Sequence, residues 1–229
     1  MSTTQLVAFI PARGGSKGIP RKNLVQLDAC PLIVHTIEAA QQSGVFSRVI
    51  VSTDDSDIAM LAKSHGCAVH DRPAHLCTDS SRVAEAVLDA ASTLQIADDD
   101  VIVVLQPTSP LRRVDHIVSA VSMRGKSESS SVVSVVECDH HPLKSVVIED
   151  GVLQPAFERH FLESSRQDLP RMYRPNGAIY VTPLATVRQM NSLVAPGALA
   201  FEMSVDDSID IDTMADIEHA EAVLRHRSR

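Results

Sequence analysis

The chain has 229 residues, of which 44% are hydrophobic, and its formal net charge is −8 at pH 7. This size predicts one domain with a sizeable core, and the acidic balance argues against a nucleic-acid partner, which would select a basic face. Four scattered cysteines, no basic leader and no long apolar run favour a cytoplasmic protein without a zinc framework or a membrane span.

Strands and helices alternate along the first half of the sequence. Apolar runs predict strands at 6–10, 48–52, 67–70, 101–105 and 131–136. Apolar residues at helical spacing predict helices at 32–42, 55–65, 82–95 and 114–123. This alternation predicts an α/β fold, a three-layer sandwich around a mostly parallel, Rossmann-like sheet.

The alternation breaks after Glu137. Residues 138–175 contain four prolines and weak strand signals only at 145–148 and 152–153. A structureless loop of that length is unusual inside a compact domain, so the segment is either a long excursion or a dimerisation arm. The pattern then resumes with strands at 177–182 and 199–205 and helices at 184–190 and 213–227, the last of them capped by Thr213.

A glycine-rich, cationic loop follows the first strand. Within a few residues it carries three glycines and the cations Arg13, Lys17, Arg21 and Lys22. Glycine lets the backbone approach a ligand closely, and backbone amides with Lys and Arg side chains suit a polyphosphate. The spacing matches neither the P-loop nor the dinucleotide fingerprint, and a solvated flexible connection is the alternative interpretation.

Polar residues follow several other strands at the edge where open α/β sheets bind ligands. Gln106 lies in a proline-rich turn and offers an amide suited to base recognition, although a rigid loop explains the turn equally well. Asp210 and Asp212 flank Ile211, so in an extended segment they point to one side. Two such carboxylates beside a polyphosphate suit Mg²⁺, and a helix-capping turn is the alternative. No order of Ser, His and Asp indicates a catalytic triad.

Five blocks of sequence together resemble the CMP-sialic acid synthetases, or N-acylneuraminate cytidylyltransferases. They are residues 12–24, 105–112, 140–144, 174–180 and 208–212, and the resemblance covers nearly the whole chain. The related enzymes that activate 3-deoxy-manno-octulosonate have a different first loop, so they fit less well.

The resemblance implies a single cytidylyltransferase domain over residues 1–229, with a nucleotidyltransferase sheet and a dimerisation arm at 138–175. It implies that CTP and a nine-carbon α-keto acid sugar react in a homodimer, the anomeric hydroxyl attacking the α-phosphorus to give a CMP-sugar and pyrophosphate.

The resemblance also implies residue roles. CTP would be bound by Arg13, Ser16, Lys17, Lys22, Asn23, Arg72 and Gln106. The sugar would be bound by Gln106, Lys144, Arg166, Arg174, Asn176 and Tyr180, with Lys144 and Arg166 reaching the partner subunit's site. Mg²⁺ would be held by Asp210 and Asp212. Lys22 and Arg13 would be catalytic. The alternation of Asp210 and Asp212 adds the hypothesis that Asp212 is catalytic and draws the proton from the sugar hydroxyl.

Two departures from the family pattern leave the sugar open. Residues 191–196 are aliphatic where some members carry adjacent aromatics, and Arg82 follows Ser80 and Ser81 in place of a run of small hydroxyl residues. N-acetylneuraminate, its non-acetylated relative and a diacetamido analogue such as legionaminate all remain candidates. The rival classes are a nicotinamide dehydrogenase and a non-catalytic nucleotide-binding regulator.

Overall fold

The computed structural model describes residues 4–126 and 131–227; the predicted domain limits at residues 1 and 229 lie outside this part. Its strands are β1 (Leu6–Pro11), β2 (Gln26–Leu27), β3 (Cys30–Pro31), β4 (Arg48–Thr53), β5 (Ala68–Asp71), β6 (Val101–Val104), β7 (Val132–Glu137), β8 (Val146–Glu149), β9 (Val152–Pro155), β10 (Tyr173–Pro183) and β11 (Leu199–Glu202). Its α-helices are α1 (Leu32–Gln42), α2 (Ser56–Ser64), α3 (Val83–Thr93), α4 (Val114–Gly125), α5 (His160–Glu163), α6 (Leu184–Met190) and α7 (Met214–Arg227). Short 3₁₀ helices lie at Lys22–Leu24, Ala74–Leu76, Pro142–Lys144, Arg166–Asp168 and Asp206–Ser208.

The central sheet has seven strands in the order β11-β7-β10-β6-β1-β4-β5. Strand β10 runs antiparallel to both of its neighbours, and the other neighbouring pairs are parallel. Parallel neighbours need crossover connections, and α1 and α2 supply them between β1, β4 and β5. The prediction of an α/β fold with a mostly parallel sheet is confirmed.

Two hydrophobic clusters cover the two faces of the sheet. On β1, Ala8 and Ile10 pack into the cluster that contains residues of α1, α2 and α4. The alternate residues Val7 and Phe9 pack into the cluster that contains α3 and α6. Because successive strand residues point to opposite faces, this division produces the predicted three layers.

A third hydrophobic cluster joins the glycine-rich loop to the C-terminal helix. It contains Ile19 and Leu27 from the first part of the chain, and Ile209, Ile211 and Ile217 from the last part. The helix α7 begins as predicted: the Thr213 hydroxyl donates to Asp216 Oδ2 over 2.8 Å and accepts from the Asp216 backbone amide over 3.4 Å. The cluster therefore places the segment 206–212 against the loop that follows β1.

Some elements differ from the sequence prediction. Strand β10 begins at Tyr173 and not at residue 177, because Tyr173 to Pro175 already pair with β7 before the register shifts. The short hairpin of β2 and β3 was not predicted, since two-residue strands show no periodicity. Among the described residues, no helix combines the length and the apolar character that crossing a membrane requires.

The segment after β7 leaves the sheet as a separate excursion, residues 138–172, which we call the arm. A hydrogen bond of 2.8 Å from the Cys138 amide to the Met172 carbonyl closes its base. Strands β8 and β9, both expected from weak signals, form an antiparallel hairpin. Its apolar side chains are exposed, with Ile148 at 74% and Leu153 at 58%. The dimerisation role of the arm stays a prediction.

Candidate active site

A cavity of about 250 Å³ opens at the carboxyl ends of β1, β5 and β6, and we call it the central cavity. It is lined by most of the residues expected to bind CTP: Arg13, Ser16, Lys22, Asn23, Arg72 and Gln106. Asn23 is buried and donates from Nδ2 to the Arg13 carbonyl over 3.0 Å, which fixes the course of the loop. The structure therefore brings together residues that lie far apart in the sequence.

Asp79 bridges two cations of the loop. Its carboxylate lies 2.7 Å from Arg13 Nη2 and 2.9 Å from Lys17 Nζ. The hydrogen bonds from Lys17 and then from Arg13 hold the pKa of Asp79 below its usual value. Lys17, which is absent from the cavity lining, thus reaches the rim through Asp79. Nothing in the sequence assigned Asp79 to the site, because its partners lie more than sixty residues away.

Arg21, the third cation along the loop, turns away from the central cavity. Its backbone is left-handed, with φ of 52°, and its guanidinium pairs with Asp55 at 3.0 Å and with Asp57 at 2.7 Å. Both carboxylates belong to the start of α2, where Asp55 caps the helix. Arg21 therefore anchors the loop to α2.

Lys22 joins the loop to the acidic segment near the C-terminus. Its Nζ donates to the Ile211 carbonyl over 2.6 Å and to Asp212 Oδ1 over 2.8 Å. Gly18 packs so closely on the Asp212 carbonyl that a Cβ atom at this position has no room. The structure thus brings the cationic loop into contact with Asp212, one of the two carboxylates expected to hold the metal.

Asp210 lies at the edge of the central cavity. The backbone amide of the next residue, Ile211, donates to the carbonyl of Thr108 over 2.8 Å, and Thr108 lines the cavity. The side chain of Asp210 stays accessible to solvent on one side, but the surrounding protein partly desolvates it. This desolvation, and then the negative charge of Asp212, raise the pKa of Asp210. The positive charges of Lys22 and Arg174 act in the opposite direction, and the net shift is upward.

The carboxylate pair suits a hard divalent cation. Among the described residues, no three or more His, Cys, Asp and Glu side chains form a group able to hold a metal. A site for Mg²⁺ needs no larger group, because this ion keeps several waters and binds one or two carboxylates together with substrate phosphates. The charge of Asp212 contributes to raising the pKa of Asp210, and this proximity of the two carboxylates fits such a site.

Gln106 connects the central cavity to a neighbour of about 310 Å³, the side cavity, which Tyr180, Arg82, Ser192 and Leu193 also line. Gly177 makes room for Gln106: its φ is +78°, and a Cβ atom there would lie 2.7 Å from Gln106 Oε1. Burial, followed by the charge of Asp210, raises the pKa of Tyr180.

Comparison with known proteins identifies the family. The family model of cytidylyltransferases matches residues 7–226. This chain belongs to the cytidylyltransferase family. An N-acylneuraminate cytidylyltransferase of Streptococcus agalactiae serotype V is 34% identical over 93% of this chain, which covers 52% of that relative. The chain thus spans about half the length of such curated relatives.

Two further similar proteins align with this chain over almost the full length of both. A CMP-N,N'-diacetyllegionaminic acid synthase of Legionella pneumophila is 36% identical, and the match covers 93% of each chain. The structure of a CMP:2-keto-3-deoxy-manno-octonic acid synthetase complexed with CTP aligns with a TM-score of 0.71 at 18% identity, covering 98% of this chain and 100% of the other. The structural match supports the fold alone.

Two of the residues expected at the sugar occupy different environments in this cytidylyltransferase. Arg174 is exposed and close enough to Asp210 to influence it. Asn176 is only 2% exposed; it accepts from the Ser134 hydroxyl over 2.6 Å and donates to Ser208 Oγ over 2.8 Å. Asn176 therefore ties β7 and β10 to the acidic segment from inside, and its contact with a sugar stays a prediction.

The two arm residues expected at the sugar lie together, away from the central cavity. Lys144 donates to the Ser164 carbonyl over 2.5 Å, and Arg166 donates to the Cys138 carbonyl over 3.2 Å. Both line a separate cavity of about 370 Å³ with His140. Within the described chain, neither lines the central or the side cavity.

Arg112 supports the site from below, a role that the sequence did not reveal. It is 3% exposed and donates to the carbonyls of Gln106 and Ala178 and to the Thr36 hydroxyl. Burial lowers the pKa of Arg112 to about 9, so the side chain still carries its charge at neutral pH. The only signal was its position at the end of the block 105–112.

Proposed function

We propose that this protein transfers the cytidylyl group of CTP to the anomeric hydroxyl of a nine-carbon α-keto acid sugar, releasing pyrophosphate. The observation that carries the proposal is the contact of Lys22 with Asp212 beside the central cavity. Membership of the cytidylyltransferase family and the names of the relatives from S. agalactiae and L. pneumophila support it.

The loop after β1 binds the triphosphate in this proposal. Arg13, Ser16, Lys17 and Asn23 supply cations and polar groups at one rim of the cavity. Arg and Lys bind phosphate oxygens through charge-assisted hydrogen bonds. Phosphate oxygens would take over the Arg13 and Lys17 contacts that Asp79 makes, because exposed ion pairs contribute little free energy.

Lys22 stabilises the charge that develops on the α-phosphoryl group. Its side chain is only 13% exposed, and its ammonium group is held by two oxygens of the acidic segment. A cation fixed in place before the reaction stabilises a developing anion without reorganisation. Phosphoryl-type transfer depends on such positioning and charge stabilisation.

Asp210 and Asp212 are the residues that would hold Mg²⁺. Cytidylyltransferases of this kind generally use a divalent metal, and when bound it would neutralise phosphate charge. Asp212 is also our candidate for accepting the proton of the sugar hydroxyl. A carboxylate placed at the rim can perform this general-base step.

The sugar binds where the central and side cavities meet. Gln106 lines both, Tyr180 lines the side cavity, and the exposed Arg174 offers a cation to the carboxylate of the sugar. A legionaminate-type diacetamido sugar is the second candidate substrate beside N-acetylneuraminate. The aliphatic side chain of Leu193 in the side cavity and the match to the Legionella relative over 93% of both chains favour it.

The arm serves dimerisation in this proposal. Its hairpin exposes Val147, Ile148, Val152 and Leu153, and exposed apolar patches of this kind mark interaction sites. A second copy of the chain would cover the hairpin. Lys144 and Arg166 would then reach the sugar or the pyrophosphate in the site of the neighbouring subunit.

Pyrophosphate release from CTP tests the proposal. The purified protein is incubated with CTP and a panel of nonulosonic acids, with Mg²⁺ or with a chelator. We expect release only with CTP, a nonulosonic acid and the metal together. Binding of CTP without pyrophosphate release for every sugar would favour a nucleotide-binding regulator, and saturable NADH binding would favour a dehydrogenase.

A further inference from the structure

Four polar side chains form a continuous hydrogen-bonded chain beneath the central cavity. Arg72 Nε lies 2.9 Å from Ser52 Oγ, Ser52 Oγ lies 2.8 Å from His70 Nδ1, and His70 Nε2 lies 2.7 Å from Asp89 Oδ2. Ser52 and His70 are register partners on β4 and β5, Arg72 follows β5, and Asp89 belongs to α3. This hydrogen-bond network therefore connects the cavity to a helix on one face of the sheet.

The hydrogen-bonding capacity of the four groups leads to one assignment of their donors. Arginine can only donate, so Ser52 Oγ accepts from Arg72. We assign the hydroxyl hydrogen of Ser52 to His70 Nδ1 and the ring proton of His70 to Nε2, which donates to Asp89. With this tautomer, every hydrogen bond of the network has one donor and one acceptor.

Arg72 depends on this network for its orientation. It is 7% exposed and lines the central cavity, and burial lowers its pKa. Among residues 4–126 and 131–227, no carboxylate forms an ion pair with it. Its Nε and Nη2 both donate to Ser52, to the hydroxyl and to the carbonyl respectively. This pairing fixes the guanidinium plane and leaves Nη1 free of protein partners within the described chain.

The arrangement resembles a Ser-His-Asp triad in order but not in access. Ser52 is 0% exposed and His70 is 1% exposed, so no substrate reaches the hydroxyl. The hydroxyl oxygen also accepts from Arg72, which opposes its use as a nucleophile. A nucleophile needs an exposed oxygen with a reacting atom at hand, so the network serves Arg72 and not a covalent reaction.

We propose that Asp89, His70 and Ser52 are positioning residues that orient the Arg72 guanidinium toward the nucleotide of CTP. This inference rests on the proposed function, because it takes the central cavity as the CTP site. The Asp89 carboxylate accepts from His70 Nε2 and so fixes the His70 tautomer. His70 Nδ1 then orients the Ser52 hydroxyl, whose oxygen accepts from Arg72. Loss of Asp89 frees His70 to adopt the other tautomer, and Ser52 then loses its acceptor.

Asp89→Ala is the central variant, since its side chain is 34% exposed on a helix and alanine favours helices. We expect CTP affinity, measured by calorimetry, to fall about tenfold, as loss of a hydrogen bond to a charged group does. The KM for the sugar should stay unchanged. Asp89→Asn keeps an acceptor oxygen and should recover most of the affinity. Asp98→Ala is the matched control, because Asp98 also pairs with a basic side chain, Arg188, at the surface.

A double-mutant cycle separates positioning from a general structural effect. In an Arg72→Ala background, Asp89→Ala should cause no further loss of CTP affinity, because Asp89 acts through Arg72. Equal losses in both backgrounds would overturn the proposal. Unchanged CTP affinity in folded Asp89→Ala protein would overturn it as well.

Nitrogen NMR of histidine-labelled protein gives a readout that needs no activity. His70 should show a protonated Nε2 and an unprotonated Nδ1, and Asp89→Ala should abolish this preference. A protonated Nδ1 in the unmodified protein would contradict the proposed hydrogen-bond network. Absence of CTP binding by the unmodified protein would instead refute the proposed function, so the two failures are distinguishable.

Discussion

The side chains around the central cavity and those of the arm have different kinds of interaction partner. Around the cavity, Arg13, Lys17 and Lys22 are paired with carboxylates of the same chain. In the arm, Lys144 and Arg166 donate to backbone carbonyls, and the apolar residues of the hairpin face solvent. The difference supports our proposal of a nucleotide site organised within one chain, beside an arm whose apolar surface a second copy would cover.

Asp212→Asn gives the largest expected effect on the cavity side of this comparison. We expect kcat to fall about 10³-fold at saturating Mg²⁺, because the variant loses the proposed proton acceptor. Steady-state pyrophosphate release is the measurement, and Asp206→Asn is the control, since Asp206 is exposed on the same segment. Near-normal turnover of Asp212→Asn would remove Asp212 from the chemical step.

Lys22→Ala should come next. We expect kcat to fall about 10²-fold with a smaller change in the KM for CTP, as loss of one transition-state contact does. Arg21→Ala is the matched control, because Arg21 is the neighbouring cation but pairs with Asp55 and Asp57. A change confined to KM would restrict Lys22 to binding CTP before the reaction.

Ile148→Asp tests the arm side of the comparison. Ile148 is 74% exposed, and burial of such a side chain in an interface contributes about 1.5–3 kcal/mol. We expect the dissociation constant of the proposed dimer, measured by analytical ultracentrifugation, to rise about 30-fold. Met60→Asp is the control, since Met60 is 62% exposed on α2, outside the arm. Equal dissociation constants for Ile148→Asp and the unmodified chain would place any dimer interface elsewhere.

Asp79→Asn should have the smallest effect. Removing this charge frees Arg13 and Lys17 and removes repulsion against a triphosphate. We expect CTP affinity to rise about threefold at low salt, because exposed ion pairs contribute at most about 1 kcal/mol. Calorimetry at two salt concentrations measures it, and a lower affinity would mean that Asp79 holds the cations in a binding geometry.

Most of the architecture followed from local sequence patterns. The helices at Leu32–Gln42 and Leu184–Met190 were predicted to the residue from the local sequence pattern. The start of β10 at Tyr173 was missed, since pairing with β7 and not local propensity sets it.

The site was predictable where it consists of contiguous blocks. The meeting of the cationic loop with Asp212 followed from placing both at the carboxyl edge of the sheet. The direction of Arg21 was not predictable, because its left-handed backbone turns the side chain toward α2. The hydrogen-bond network from Asp89 to Ser52 was not predictable for another reason: its residues come from three elements and have no regular spacing in the sequence.

The hydrophobic cluster shared by the glycine-rich loop and α7 has a consequence for biosynthesis. Ile19 and Leu27 leave the ribosome early, but their packing partners Ile209, Ile211 and Ile217 are made much later. Most of the sheet can assemble beforehand, whereas the glycine-rich loop gains this support only after the segment that contains Ile209 to Ile217 has been made. A nascent chain that stops before Ile209 therefore lacks the packing that holds the loop against the acidic segment.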